Sequence, residues 1–176
     1  MKATLCVALM IGAALLPAGN GGRVSSVDAA QSAQAAPTCR NIQLLIRAQS
    51  SQGAAGHIAI LYRIHNLTGQ ACTLRGYPGV QLLDRNFLSL PTTVRRGGFL
   101  GVIPVRVVRL RGHGNAYFAL SYSDVPINNQ PCRTAYYLMI FAPNNFLPVV
   151  TYAFNGGIMA CAGNVDVSPV THRPRF

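Results

Sequence analysis

The sequence predicts an all-β protein, a sandwich of about eight strands in two sheets. Three observations carry this. Apolar residues recur at every second position in short segments, as in Ile58, Ile60, Tyr62 and Ile64, which is the period of a strand with one face in a core. Gly 17 and Pro 11, with many Asn and Ser residues, punctuate the chain at the close intervals of a strand-and-turn protein. Beyond the N-terminal apolar run no stretch has the spacing of an amphipathic helix. With 176 residues, 50% hydrophobic and 11% charged, the chain is sized for one domain with a real core.

Met1 and Lys2 precede an apolar run from Ala3 to Leu16, ended by Pro17 and Gly19. A short charged start and a run too brief to span a bilayer read as a secretory signal. Residues 1–35 are therefore expected as a signal peptide and residues 36–176 as one β-sandwich domain. Small-residue cleavage sites lie at Val27-Asp28-Ala29 and Ala33-Gln34-Ala35, and the second adjoins the first mature-looking residues. Cys6 lies inside the apolar run rather than just after it, so the pattern of a lipid anchor is missing. The alternative is an N-terminus left uncleaved as an amphipathic or anchoring segment. No later stretch reaches the ~18 apolar residues of a membrane span, so no transmembrane segment is expected after cleavage.

In chain order, Ile42, Leu44 and Ile46 alternate with Asn41, Gln43 and Arg47, predicting a strand over 40–49. Ser50–Ala55 is expected to turn it into a second strand, 56–66, with Arg63 and His65 opposite the apolar face. Asn66 to Gly69 reverses the chain, and Pro78-Gly79 makes a corner before a strand holding Val80 and Leu82. Residues 85–101 are less regular: Arg85-Asn86 reads as a turn, followed by Phe87–Leu90 and then a loop holding Arg95, Arg96, Gly97 and Gly98. Val102–Leu110 is apolar and β-branched but contains Pro104, which marks an edge or a bulge. After the Gly112–Asn115 turn, Phe118, Leu120 and Tyr122 share one face of the next strand. Strands 134–142 and 147–154 flank a Pro143-Asn144-Asn145 turn, and Ala135–Phe141, nearly all apolar, is expected to be the most buried strand. Val165 and Val167 share a face of the last strand, which Pro169 ends.

Removing the leader leaves Cys39, Cys72, Cys132 and Cys161, an even set that in an exported chain is read first as disulfides. Four cysteines allow three pairings, and the hairpins rank them. The 40–66 hairpin brings Cys39 near Asn66, a few residues before Cys72; the 134–154 hairpin brings Cys132 near the residues before Cys161. The expected bridges are Cys39–Cys72 and Cys132–Cys161. A four-cysteine zinc site usually takes its ligands in close pairs, and every gap here is long. No metal and no cofactor is implied.

The series Gly53-Ala54-Ala55-Gly56-His57, Asn66 with Cys72-Thr73-Leu74, and Gly76-Tyr77-Pro78-Gly79-Val80 continues with Leu110, Gly112 or Gly114, Ala116-Tyr117-Phe118 and Cys132, then Cys161 before Val167-Ser168-Pro169-Val170. In these residues the chain resembles a bacterial family of secreted and lipid-anchored proteins, a domain of unknown function (DUF4232-like), over roughly residues 38–171. The run from Asn66 to Val80 is its most specific part. The resemblance implies an immunoglobulin-like antiparallel β-sandwich of about seven to nine strands outside the cytoplasm, supports pairing the cysteines in order, and brings no activity. The chain departs from the pattern at Arg111-Gly112-His113-Gly114, where relatives have a Pro-Gly turn, and in His172–Phe176, which has no counterpart.

The formal charge is +11; Lys2 is the only lysine and glutamate is absent, so the charge is almost all arginine. Such a balance attracts phosphates, anionic polymers or acidic lipid surfaces, and equally serves plain solubility. Arg95, Arg96, Arg106, Arg109 and Arg111 are the candidate anion-binding residues, although strict alternation puts Arg106 and Arg109 on opposite faces. Catalytic candidates are poor. His113 with Ser121 or Ser123 and Asp124 lacks a G-x-S-x-G elbow, and three mature aspartates do not supply paired carboxylates. His57 and His65 are eight positions apart on one strand, too far to share a metal. Asn66-Leu67-Thr68 has the form of a glycosylation sequon but reads as turn chemistry, and Tyr77 as packing over the end of the sandwich. The expected function is a secreted, non-catalytic binding or structural module of the cell envelope. Alternatives are an arginine-mediated adhesin for anionic envelope polymers and a hydrolase with an unrecognised site. Expected partners are an envelope protein or an anionic polymer, with no specific nucleic acid.

Overall fold

The computed structural model describes residues 36–126 and 130–176; the expected signal peptide lies outside the described residues. Twelve strands run through them: β1 (Leu44–Ala54), β2 (His57–Asn66), β3 (Cys72–Arg75), β4 (Gly79–Leu83), β5 (Thr93–Arg96), β6 (Val107–Leu110), β7 (Asn115–Ser123), β8 (Cys132–Ala135), β9 (Tyr137–Phe141), β10 (Val149–Tyr152), β11 (Ile158–Cys161) and β12 (Asn164–Val167). The largest sheet has the order β1-β2-β7-β12-β5; the smaller ones are β10-β9-β4, β11-β8 and β3-β6. Their inward side chains share one core. Ile46, Ile60, Tyr62, Phe118, Leu120, Val165 and Val167 come from the large sheet, and Leu74, Leu82, Leu110, Leu138, Ile140 and Ile158 from the small ones. The protein is all-β with two disulfides, compatible with an immunoglobulin-like sandwich.

The alternation in β2 and β7 works as the sequence predicts. Ile60 lies opposite Leu120, Tyr62 opposite Phe118 and Ile64 opposite Ala116, and the rings of Tyr62 and Phe118 stack 5.1 Å apart. β7, rather than 135–141, is the most buried long strand, because it is third of five in the large sheet and several outward residues, Ala119 and Ser121 among them, are also covered. The 134–142 stretch breaks at Tyr136: β8 pairs with β11, while β9 lies between β10 and β4.

Other boundaries also move. Residues 50–54 are not a turn; they extend β1 along β2, and the reversal is Ala55-Gly56, with φ of 49° and 77°. Two successive positive φ values are what a tight two-residue hairpin needs. Ile42 does not join Leu44 and Ile46 in the core; it sits in a 3-10 turn, Asn41–Gln43, and is 82% exposed. Val102–Leu110 yields only β6, residues 101–106 having no strand, and Phe87–Leu90 yields a single bridge, Leu83 to Ser89. The supposed loop at Arg95 and Arg96 is β5, which pairs in parallel with β12, so the large sheet is not wholly antiparallel.

Cys39 is bonded to Cys72 and Cys132 to Cys161. Cys132 and Cys161 face each other across the β8–β11 ladder. Cys39 is brought to β3 by backbone pairing, its N–H donating to the Thr73 carbonyl at 2.9 Å. The bridges close spans of 33 and 29 residues, and replacing either pair with serine should lower the unfolding free energy by about 2–4 kcal/mol, read from urea denaturation.

Tyr62 Oη is buried and has no hydrogen-bond partner among the described residues. Burial pushes its pKa far above the ordinary tyrosine range, with neighbouring Tyr122 adding to the shift. A raised folded-state pKa means stability is complete below the unfolded value, about 10, and falls as pH climbs beyond it. Tyr62→Phe should cost less than about 1 kcal/mol at neutral pH, since no hydrogen bond is lost. It should also reduce the drop in melting temperature between pH 9 and pH 11, checked by thermal scans.

Candidate functional site

The five candidate arginines divide into three environments. Arg95 is used by the fold: its Nε donates to Asp166 Oδ1 at 2.7 Å and its terminal nitrogen to Oδ2 at 3.2 Å. Asp166 is 2% exposed and also accepts the Phe99 N–H at 2.9 Å. Arg96 holds its guanidinium carbon 5.6 Å from the Tyr77 ring, a cation–π distance. Tyr77 itself packs against the core.

Arg106, Arg109 and Arg111 form the third group. In β6, Val108 and Leu110 point inward while Val107 and Arg109 are exposed. Arg106, one residue before the strand, lines a depression of about 350 Å³ with Ile103, Pro104 and Val108 on one side and Val170 to Arg173 and Arg175 on the other. Arg109 and Arg111 line a second depression, about 450 Å³, with Gly114, Asn115 and His172. Alternation does separate Arg106 from Arg109, yet His172 borders both depressions and links them. Sequence reasoning missed Arg173 and Arg175. The available signal was His172-Arg173-Pro174-Arg175, a basic run with no acidic residue.

Backbone pairing fixes the segment that carries them. Val170 donates to the Gly76 carbonyl at 2.9 Å, and Thr171 exchanges two backbone bonds with Tyr117 at 2.8 and 2.9 Å. The opposite wall is held by Asn66, which is fully buried. Its Nδ2 donates to the carbonyls of Gln70 (2.7 Å) and Arg111 (3.0 Å), and its Oδ1 accepts from the backbone N–H and hydroxyl of Thr68. The sequon-like Asn66 is therefore spent on joining two turns. A Cβ at Gly112 would collide with the backbone of Gly69, so this close approach requires glycine.

Among the described residues Arg95–Asp166 is the one ion pair. No carboxylate lines either depression. The charges of Arg106, Arg109, Arg111, Arg173 and Arg175 thus face solvent without protein counter-ions, and a guanidinium fork matches phosphate or carboxylate oxygens in pairs.

The catalytic candidates are not brought together. His113 lies in the turn before β7, and Ser121, Ser123 and Asp124 lie at or just past its far end, roughly 20 Å along an extended strand from its start. Ser121 is fully buried, and Ser123 Oγ bonds to the backbone of Val125. His57 and His65 occupy opposite ends of β2: the His57 ring stacks on Phe99 at 4.1 Å, and His65 Nδ1 pairs with Asn115 Oδ1 at 2.9 Å. Among the described residues no three His, Cys, Asp or Glu side chains gather as a metal site.

The family described as a domain of unknown function (DUF4232) matches residues 39–171. Neither a curated protein nor a solved structure matches the chain.

Asp166→Ala should lower the unfolding free energy by about 2 kcal/mol, because Arg95 and the Phe99 N–H both lose their charged acceptor. Asp166→Asn keeps one acceptor oxygen and should cost less. Urea denaturation of the two variants checks the order.

Proposed function

The chain belongs to the DUF4232 family, a domain of unknown function, and from that premise we propose that it is a secreted, non-catalytic binding module of the cell envelope whose arginine surface holds anionic groups. One observation carries the reading: five arginines line two adjoining depressions and no carboxylate lines either. Placement outside the cytoplasm is supported by the two disulfides, which persist in oxidising compartments. The non-catalytic reading rests on the distance between His113 and the Ser121–Asp124 end of β7, and on the bridging of the four cysteines. Specific nucleic-acid binding is disfavoured because no Phe, Tyr or Trp lines the depressions, and unpaired bases are held chiefly by stacking on such rings.

The protein should bind soluble polyphosphate at low ionic strength and lose at least tenfold in affinity between about 50 and 300 mM salt, because each phosphate contact releases a counter-ion. Arg106→Ala with Arg173→Ala should weaken binding and flatten the salt dependence without moving the melting temperature. Affinity that ignores salt, or no binding to any polyanion, would rule the reading out.

A further inference from the structure

We propose that the anionic groups met by this surface are phospholipid headgroups, and that residues 102–107 place their valines at the acyl boundary beneath them. The inference rests on the anion-binding reading above and narrows it to a bilayer surface. The observation behind it is apolar. Val102 is 99% exposed, Val105 39% and Val107 58%, three valines within the segment that carries Arg106 and leads to Arg109.

Single exposed apolar residues are ordinary on soluble proteins. Three in one short segment, bordered by cations without counter-ions, are different: that is the composition of a peripheral membrane contact, with apolar side chains below the headgroups and basic ones among them. A hydrated polymer would use the arginines and leave Val102 in water. An anionic bilayer uses both.

The segment is also built to project. It leaves a 3-10 turn, Gly98–Leu100, whose Phe99 N–H is tied to the buried Asp166, and it re-enters the fold at β6, where Val108 is inward. Between these anchors residues 101–106 form no strand, and Pro104 removes one donor. Arg106, Arg173 and Arg175 border the segment on the side of residues 170–175, and Arg109 and Arg111 follow it. No acidic side chain lines either depression to oppose an anionic headgroup, and the Asp166 carboxylate is paired with Arg95.

The chain contains no tryptophan, so Val102→Trp supplies a single indole reporter. Vesicles of phosphatidylcholine alone and vesicles with about a third phosphatidylglycerol would be tested by co-sedimentation, with soluble polyphosphate as the parallel arm. Expected are binding at least tenfold tighter to the anionic vesicles and a blue shift of the indole on those vesicles only. Val102→Ser with Val105→Ser should lose roughly tenfold on vesicles and nothing on polyphosphate, whereas Arg106→Ala with Arg109→Ala should lose on both. Unchanged vesicle binding by the serine variant, or an indole that stays in water, overturns the lipid inference while the polyphosphate arm keeps the broader reading. Failure of wild-type protein on both probes overturns the two together.

Discussion

A carboxylate taken out of water must be met by donors, and Asp166 imposes that requirement on three elements at once. Burial without partners would cost more than most single contacts return. Arg95 supplies two donors from β5 and Phe99 one from the following turn. The parallel pairing of β5 with β12 places Arg95 directly opposite Asp166, so the ladder and the ion pair support each other. Gly98, at φ 52°, passes so close to the carboxylate that a Cβ there would collide with it. The turn from which the 101–106 segment departs is thus anchored on this one buried charge.

Three more buried polar residues, Asn66, Asn41 and Ser168, hold neighbouring segments together through their side-chain bonds. Asn66 joins the end of β2 to the turns before β3 and β7. Asn41 accepts from the Ala142 N–H, and Asn145 returns a bond to the Cys39 carbonyl, tying the start of the domain to the turn after β9. Ser168 replaces a missing ladder bond, its Oγ accepting the Ala119 N–H at 2.9 Å where β12 ends before Pro169. Apolar alternation builds the layers; these short polar side chains join them.

Which parts of this were legible in the sequence follows from what periodicity reports. It reports burial on one face, so Ile60, Tyr62 and Ile64, Phe118 and Leu120, and Val165 and Val167 were read correctly, and the cysteine pairs followed from the hairpins. It is silent where both faces are wet. Residues 50–54 and all of β5 are exposed, so their strands leave no pattern. Ile42 looked like a core residue because alternation continues by chance into a 3-10 turn. For the site, nearness in sequence grouped Arg95 with Arg106, Arg109 and Arg111, whereas Arg95 belongs to a partner 71 positions away. Arg173 and Arg175, distant in sequence, are the true neighbours of Arg106.

β1 is the outer margin of the large sheet and runs for 11 residues. Such a margin is a template on which another copy's backbone can crystallise, strand upon strand. The register shift between Ala48 and Ser50 interrupts the regular row of donors and acceptors midway, and Arg47 sets a charge beside it. At high local concentration the chain would thereby carry its own safeguard against fibrous self-association.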